Sequence, residues 1–187
     1  MPRYNSFSEV VPATQENILR FCKESNRIEN ITHDDPTSLY IVHHLAAFDY
    51  IKNNKRISIR ELHRILMEVD SERFLIDYGE RIGEYRKHRV RIGSHIPPPP
   101  QIVELLMKNL QDDIEASLKG EYKPDTEWYF HNRFEIIHPF VDGNGRTGRL
   151  LLNFVRMHYF PDDLVIVRSK DKLGYYHMLD EYRKQKK

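Results

Sequence analysis

The sequence predicts an all-α fold: a compact helical domain carrying one short β-hairpin. Three observations support this. Apolar residues recur at helical spacing along most of the chain, as at Ile18, Phe21, Cys22 and Ile28, or at Leu110, Ile114 and Leu118. Helix start and stop signals bracket those patterns: Ser58-x-x-Glu61 forms a capping box, four prolines at 97–100 precede one helix, and Gly120 ends it. Period-two alternation occurs only around Val90 and Ile92, near Gly83 and Gly93, and no parallel-strand pattern is present.

Taken in order, residues 1–13 show no clear pattern. A helix is expected over 14–30, with Asn30 as its C-terminal residue. Asp35-Pro36 resembles an N-cap with proline at the first helical position. It opens a helix over 37–52 with Leu39, Val42, Leu45, Ala46 and Ile51 turned inward and with His43 and His44 structural or exposed. Asn53-Asn54-Lys55 is a turn, and the capping box starts a helix ending at Met67. The basic stretch 85–100 contains the expected hairpin. The prolines then start a helix over 101–119, where a missing N–H is harmless, with Ile102, Leu105, Leu106, Leu110, Ile114 and Leu118 facing the core. Asp125 or Thr126 caps a helix over 127–137. A turn at 159–163 and an extended piece at 164–167 follow. Ser169 caps a last helix to Tyr182, with Tyr175, Tyr176 and Leu179 on one face, and the tail 183–187 is expected to fray.

The length of 187 residues fits a single domain, 1–187, with its own core. A net charge of +1, from 29 basic and 28 acidic side chains, argues against a general nucleic-acid or membrane-surface binder. Cys22 is the single cysteine, so neither an intrachain disulfide nor a cysteine metal cluster can form. No apolar run is long enough to span a bilayer, and Met1-Pro2-Arg3-Tyr4-Asn5 does not read as a signal peptide, so a cytoplasmic setting is expected.

The chemistry concentrates at 138–149, His-Pro-Phe-Val-Asp-Gly-Asn-Gly-Arg-Thr-Gly-Arg. The small loop Gly143-Asn144-Gly145 opens a helix, whose first turn has unpaired backbone N–H groups and positive potential. Glycines let that backbone approach an anion. Arg146 and Arg149, three residues apart, project from one face of the turn and suit phosphate. His138 is a candidate base and Asp142 a candidate metal ligand at the mouth. Gly143-x-Gly145-x-x-Gly148 also satisfies a dinucleotide-binding fingerprint, but that requires a preceding strand, and 128–137 reads as helix. A P-loop would need Lys then Ser or Thr after the last glycine, where Arg149-Leu150 stands. A zinc site built from His131, His138, Asp142 or Glu135 is disfavoured by the adjacent arginines. His131 reads instead as a buried, hydrogen-bonded histidine.

This stretch resembles the motif of the Fic family, H-x-F-x-[DE]-G-N-G-R-x-x-R, met at His138, Phe140, Asp142, Gly143, Asn144, Gly145, Arg146 and Arg149. Two further stretches are similar to family features. Ser25-x-x-x-Glu29-Asn30 resembles the inhibitory motif of members whose inhibitory helix precedes the catalytic core, here 14–30. The stretch 83–96, with Tyr85, Arg86, Val90 and Ile92, looks like the flap that docks an extended target segment by strand addition. The resemblance implies a protein adenylyltransferase of Fic-type fold, with ATP as co-substrate and Mg²⁺ as cofactor. AMP would pass to a Tyr, Ser or Thr hydroxyl of a target protein, with self-modification and oligomer formation left open, and with neither nucleic acid nor membrane as partner.

It also implies residue roles. His138 would be the general base and Asp142 the Mg²⁺ ligand. The Gly143, Asn144 and Gly145 backbone with Arg146 and Arg149 would hold the phosphates, and Phe140 would anchor the loop. Glu29 would inhibit by pairing with Arg149, and Tyr175 or Tyr176 would line the adenine pocket. A different phosphate-containing donor, glutamate-assisted removal of AMP, and a non-catalytic nucleotide-binding adaptor are the alternatives.

Overall fold

The computed structural model describes residues 4–185, so Met1, Pro2 and Arg3 and the last two lysines of the expected frayed tail lie outside the described residues. The chain runs β1 (Ser8–Pro12), α1 (Gln15–Ile28), α2 (Leu39–Asn53), α3 (Ile59–Met67), α4 (Pro100–Ser117), α5 (Thr126–Ile137), α6 (Asn144–Tyr159), β2 (Asp163–Val167) and α7 (Lys172–Gln185). Between α3 and α4 lie an irregular helical stretch, 68–78, and an extended loop. The molecule is mostly helical, as expected.

Helix α6 is the axis of the fold. Leu150, Leu151, Leu152, Phe154 and Val155 are all buried, which marks a helix enclosed on every side. Helices α1, α2, α3 and α5 and strand β2 pack around it. Each fully buried side chain of this size contributes about 1.5–3 kcal/mol relative to exposure, so α6 is the most strongly fixed element available to carry a site. A second cluster (Phe7, Ile28, Trp128, Leu152, Val165, Val167, Tyr175 and Leu179) joins the sheet and α7 to α6. That cluster fixes where α7 faces the N-terminus of α6.

The expected capping box is present, with Ser58 Oγ accepting from the Glu61 N–H at 3.3 Å. Asp35 instead forms a local turn, accepting from the Thr37 N–H, and Ser38 stands at the start of α2. Two helix faces differ from expectation. On α2 the buried residues are Ile41, His44, Ala47, Phe48 and Ile51, while Leu39 and Val42 are exposed. On α4 they are Val103, Met107, Leu110 and Ile114, while Ile102 and Leu105 are exposed. Both helices are apolar on more than one side, so periodicity alone does not select a face; the neighbouring elements do.

The regular sheet is also elsewhere than anticipated. β1 pairs antiparallel with β2, Ser8 opposite Val167 and Pro12 opposite Asp163. The extended piece 164–167 was expected; its partner lies in the stretch without a pattern. The hairpin expected over 83–96 takes a narrower form, a single bridge between Ile92 and His95 around Gly93-Ser94. The reason is local. Arg86 takes the carbonyls of His88 and Pro98, acceptors that a longer ladder would need.

Candidate active site

Helix α5 ends by delivering His138, which adopts a left-handed conformation (φ 48°) that non-glycine residues seldom take. Its N–H still bonds to Phe134 O at 2.9 Å. Its carbonyl accepts from Arg86 Nε at 2.8 Å. The turn that follows is tied by Asn144, whose Oδ1 accepts from the Phe140 N–H at 3.0 Å and whose Nδ2 donates to Phe140 O at 2.8 Å. Asn144 therefore locks the loop with its side chain and leaves only its backbone for an anion. Phe140 is the anchor expected of it: fully buried, and stacked on His63 with ring centroids 3.7 Å apart. Gly143 takes φ 76°, and a Cβ there would meet Met67 Sδ at 2.6 Å, so the left-handed turn and the close approach both require glycine.

The imidazole of His138 lies at the pocket. Its Nδ1 is buried and stands 3.7 Å from Glu135 Oε2 on the preceding turn. Burial would raise the Glu135 carboxyl, but His138, His131 and Arg149 together hold it below its ordinary value. An ionised Glu135 favours a proton on the facing Nδ1, which leaves Nε2 as the basic nitrogen.

Arg149 is buried and held from α1 and its C-terminal cap through Nε and Nη2, while its Nη1 is buried without a hydrogen-bond partner. Its Nε donates to Ser25 Oγ at 2.9 Å, and its Nη2 donates to Ser25 O at 2.8 Å and to Glu29 Oε1 at 2.7 Å. Its guanidinium lies over the Tyr175 ring, 5.8 Å from the centroid. Burial would lower its pKa, and Glu29, Tyr175 and Glu135 together more than offset this and raise it. The helix end explains the Glu29-Asn30 pair. Asn30 is left-handed (φ 61°), its N–H reaches Arg27 O, and the Ile31 N–H reaches Asn26 O, the Schellman arrangement. Asparagine tolerates that backbone, and the cap aims Glu29 at α6. A Cβ on Gly145 would overlap Glu29 Oε1, so the carboxylate rests directly on the first turn of α6. The chain's own anion thus occupies the cradle where phosphate was expected.

Arg146 is also buried, 3.9 Å from Asp70 Oδ2. Burial depresses its guanidinium, opposed by Asp142, Glu29 and Asp70. Asp142 sits at the mouth. Its Oδ1 accepts from the Gly143 N–H at 2.6 Å, so that amide is not free, and its Oδ2 accepts from Arg73 Nη2 at 2.7 Å. Burial would raise the carboxyl, but Arg73, Gly143 and Arg146 bring it below the usual range. No group of three or more His, Cys, Asp or Glu that could hold a metal exists among the described residues. A single half-exposed carboxylate beside the expected phosphate seat does fit Mg²⁺, which takes few protein ligands and completes its shell with ligand oxygens and water.

One cavity of about 320 Å³ is lined by Glu29, Glu135, His138, Gly145 and Arg149 together with Ile92, Gly93 and Ser94 of the loop and Tyr175, Tyr176, Leu179, Asp180 and Arg183 of α7. Tyr176 is partly exposed, with its OH donating to Ile28 O at 3.2 Å. Tyr175 is buried and hydrogen-bonded to His131 Nε2 at 2.9 Å, and His131 is the buried histidine it was expected to be.

Two placements depart from the expected flap. Arg86 does not face a target; it is a buried staple that binds the carbonyls of Ile137, His138, His88 and Pro98. Tyr85 packs on Phe140 and beneath Arg60. Val90 and Ile92 remain partly exposed. His63, Arg73, Asp70, Asp180 and Arg183 were not anticipated at the site. His63 donates from Nε2 to Asp142 O at 3.0 Å and accepts at Nδ1 from the Gly83 N–H at 2.9 Å, and burial lowers its pKa to about 4. Nothing local in the sequence ties His63 to a loop so far along the chain.

The Fic/DOC family model matches residues 54–156, more than half of the chain. The protein adenylyltransferase Fic of Drosophila melanogaster is 39% identical over 100 residues, covering 52% of this chain and 20% of that protein. The one from Drosophila persimilis is 38% identical over 100 residues, covering 52% and 19%. The chain spans about a fifth of the length of these curated relatives. Among solved structures, a Fic domain containing signaling protein from Bacteroides thetaiotaomicron superposes with TM-score 0.70 at 25% identity, covering 88% of this chain and 71% of that one. Fic-1 (aa134–508) from C. elegans does so with TM-score 0.68 at 21% identity, covering 90% and 56%, a likeness of fold.

Proposed function

The chain belongs to the Fic/DOC family, and from that premise we propose that it is a protein adenylyltransferase held in check by its own Glu29. The observation that carries this reading is the seat of the Glu29 carboxylate: against Gly145, bonded to Arg149, in the same cavity as His138. A carboxylate placed on a helix N-terminus beside a buried guanidinium marks an anion site, and it must leave before a triphosphate can occupy the same groups.

With Glu29 displaced, Arg149 and Arg146 orient the phosphate tail, while the first-turn amides at Asn144 and Gly145 face the charge that develops during transfer. The adenine ring would lie against Tyr175, Tyr176 and Leu179, which line the same cavity as the Ile92-Gly93-Ser94 turn. The oxygen of a target hydroxyl attacks the α-phosphorus. The bond to the oxygen bridging α and β breaks, pyrophosphate departs, and the hydroxyl proton goes to His138 Nε2. Asp142 would hold Mg²⁺, which supplies neutralising charge to the phosphate oxygens when bound. Ile92 at the loop tip offers a partly exposed apolar side chain to an extended target segment.

The test uses ATP labelled at the α-phosphate and a cell lysate as the source of targets. Glu29→Gly should raise incorporation, self-modification included, by about tenfold or more, the factor that 1.4 kcal/mol of relieved competition provides. Adding His138→Ala to that variant should lower it again by roughly 10²–10⁴-fold with nucleotide binding kept. Unchanged incorporation in Glu29→Gly at preserved stability rejects the inhibitory role. Undiminished labelling without His138 rejects the base.

A further inference from the structure

The cradle has two halves of opposite charge, and each is capped from within. Glu29 covers the cationic half, as described. On the anionic half, Asp142 Oδ2, the oxygen not bound to Gly143, is held by Arg73 Nη2 at 2.7 Å. Arg73 comes from the irregular stretch 68–78, and its Nε donates to Asp70 Oδ1 at 3.1 Å. Asp70 is buried, also accepts from Tyr40 OH at 3.3 Å, and faces Arg146 with its other oxygen. Arg73 therefore bridges a fixed interior carboxylate and the mouth of the site.

We propose that Arg73 is the resident counter-cation of Asp142, and that a divalent ion reaches this carboxylate only when the guanidinium leaves it. The claim rests on the assignment of Asp142 as the metal-binding carboxylate above. Three features favour a displaceable cap over a permanent brace. The Arg73 and Asp142 side chains are 40% and 38% exposed, so water screens the pair and its net strength is small. Arg73 retains Asp70 as a partner three residues away after release, so departure strands no buried charge. Asp70, Phe74 and Tyr78 anchor the stretch to the core, so release needs only a swing of the long, partly exposed Arg73 side chain and no movement of the backbone.

A guanidinium bonded to Asp142 Oδ2 occupies a lone pair and neutralises charge that a divalent cation would draw on, so the two compete and removing the first strengthens the second. The measurement is the free Mn²⁺ signal by electron paramagnetic resonance during titration of the whole chain with α,β-methylene ATP present. Mn²⁺ stands in for Mg²⁺ because both accept octahedral oxygen shells. All proteins carry Glu29→Gly to open the phosphate seat. Arg73→Gln should lower half-saturating Mn²⁺ about threefold, as expected for losing a competing exposed pair. Arg73→Lys, which keeps the charge but loses the two-pronged grip, should shift it in the same direction by less. Asp142→Asn should raise it.

Weaker or unchanged Mn²⁺ binding in both Arg73 variants, with Asp142→Asn still impaired, overturns the cap and makes Arg73 a brace or a phosphate ligand. Parent-like binding in Asp142→Asn removes the metal assignment itself, and the cap with it. Agreement of the glutamine and lysine variants in direction guards against one of them being misfolded.

Discussion

The loop that carries His138 and the loop that carries Ile92 face each other across one cavity, yet they are held in opposite ways. The first is specified from within. Asn144 ties both backbone groups of Phe140, Gly143 folds back on Met67, and the helix behind it is buried from Arg146 to Val155. The second is held at its root. Arg86 gathers four carbonyls there, His63 takes the Gly83 N–H, and beyond them one bridge, Ile92 to His95, defines the tip, with His95 Nε2 donating to Ile136 O at 3.0 Å. Groups that perform chemistry must sit within fractions of an ångström, whereas a segment that receives an extended partner works better if its edge stays unpaired.

The largest expected effect comes from removing the link between the two. Arg86→Gln leaves several buried carbonyls without donors and should cost about 3 kcal/mol in urea unfolding. It should also lower transfer in the Glu29→Gly background, because the His138 carbonyl loses its partner. A cost below about 0.5 kcal/mol, the range of ordinary surface substitutions, would show that the root is held by something else.

A smaller effect follows from His63. Its pKa falls from 6.5 to about 4 because burial penalises the charged ring. Between those values the unfolded chain binds a proton that the folded one does not. Stability is therefore full above the unfolded value and is lost as pH falls from about 6.5 toward about 4. Over pH 7 to pH 5 this amounts to about 2 kcal/mol. His63→Gln, which can still donate and accept, should flatten the acid loss by that amount. His44 and His131, also depressed by burial, continue to act in both proteins. Identical acid limbs would contradict the neutral, doubly bonded ring.

The same contrast explains what could be read in advance. The cradle was legible because its chemistry is contiguous: twelve residues carry the imidazole, the carboxylate, the glycines and both arginines. Asn30 was legible because a helix cap is local, whereas Glu29 stood out only through the motif Ser25-x-x-x-Glu29-Asn30 that it shares with the family. His63 with Asp142, Arg73 with Asp142 and Arg149 with Ser25 join residues 79, 69 and 124 positions apart, and no local signal announces such pairs. Arg86 departs from the docking role that the flap resemblance implies because carbonyls at the end of α5 and around the loop bury it. Strand β1 escaped notice because Ser8–Pro12 is a strand only beside 163–167. The faces of α2 and α4 were misassigned because several apolar rows compete on each.

The central claim is that Glu29 occupies the seat of the nucleotide's phosphates. A crystal of the Glu29→Gly variant soaked with ATP and Mg²⁺ tests it most directly. The expected density is a triphosphate on the first turn of α6, contacting Arg149, with the α-phosphorus facing His138. A nucleotide bound away from Gly145 and Arg149, in a crystal whose protein still labels targets, would contradict it.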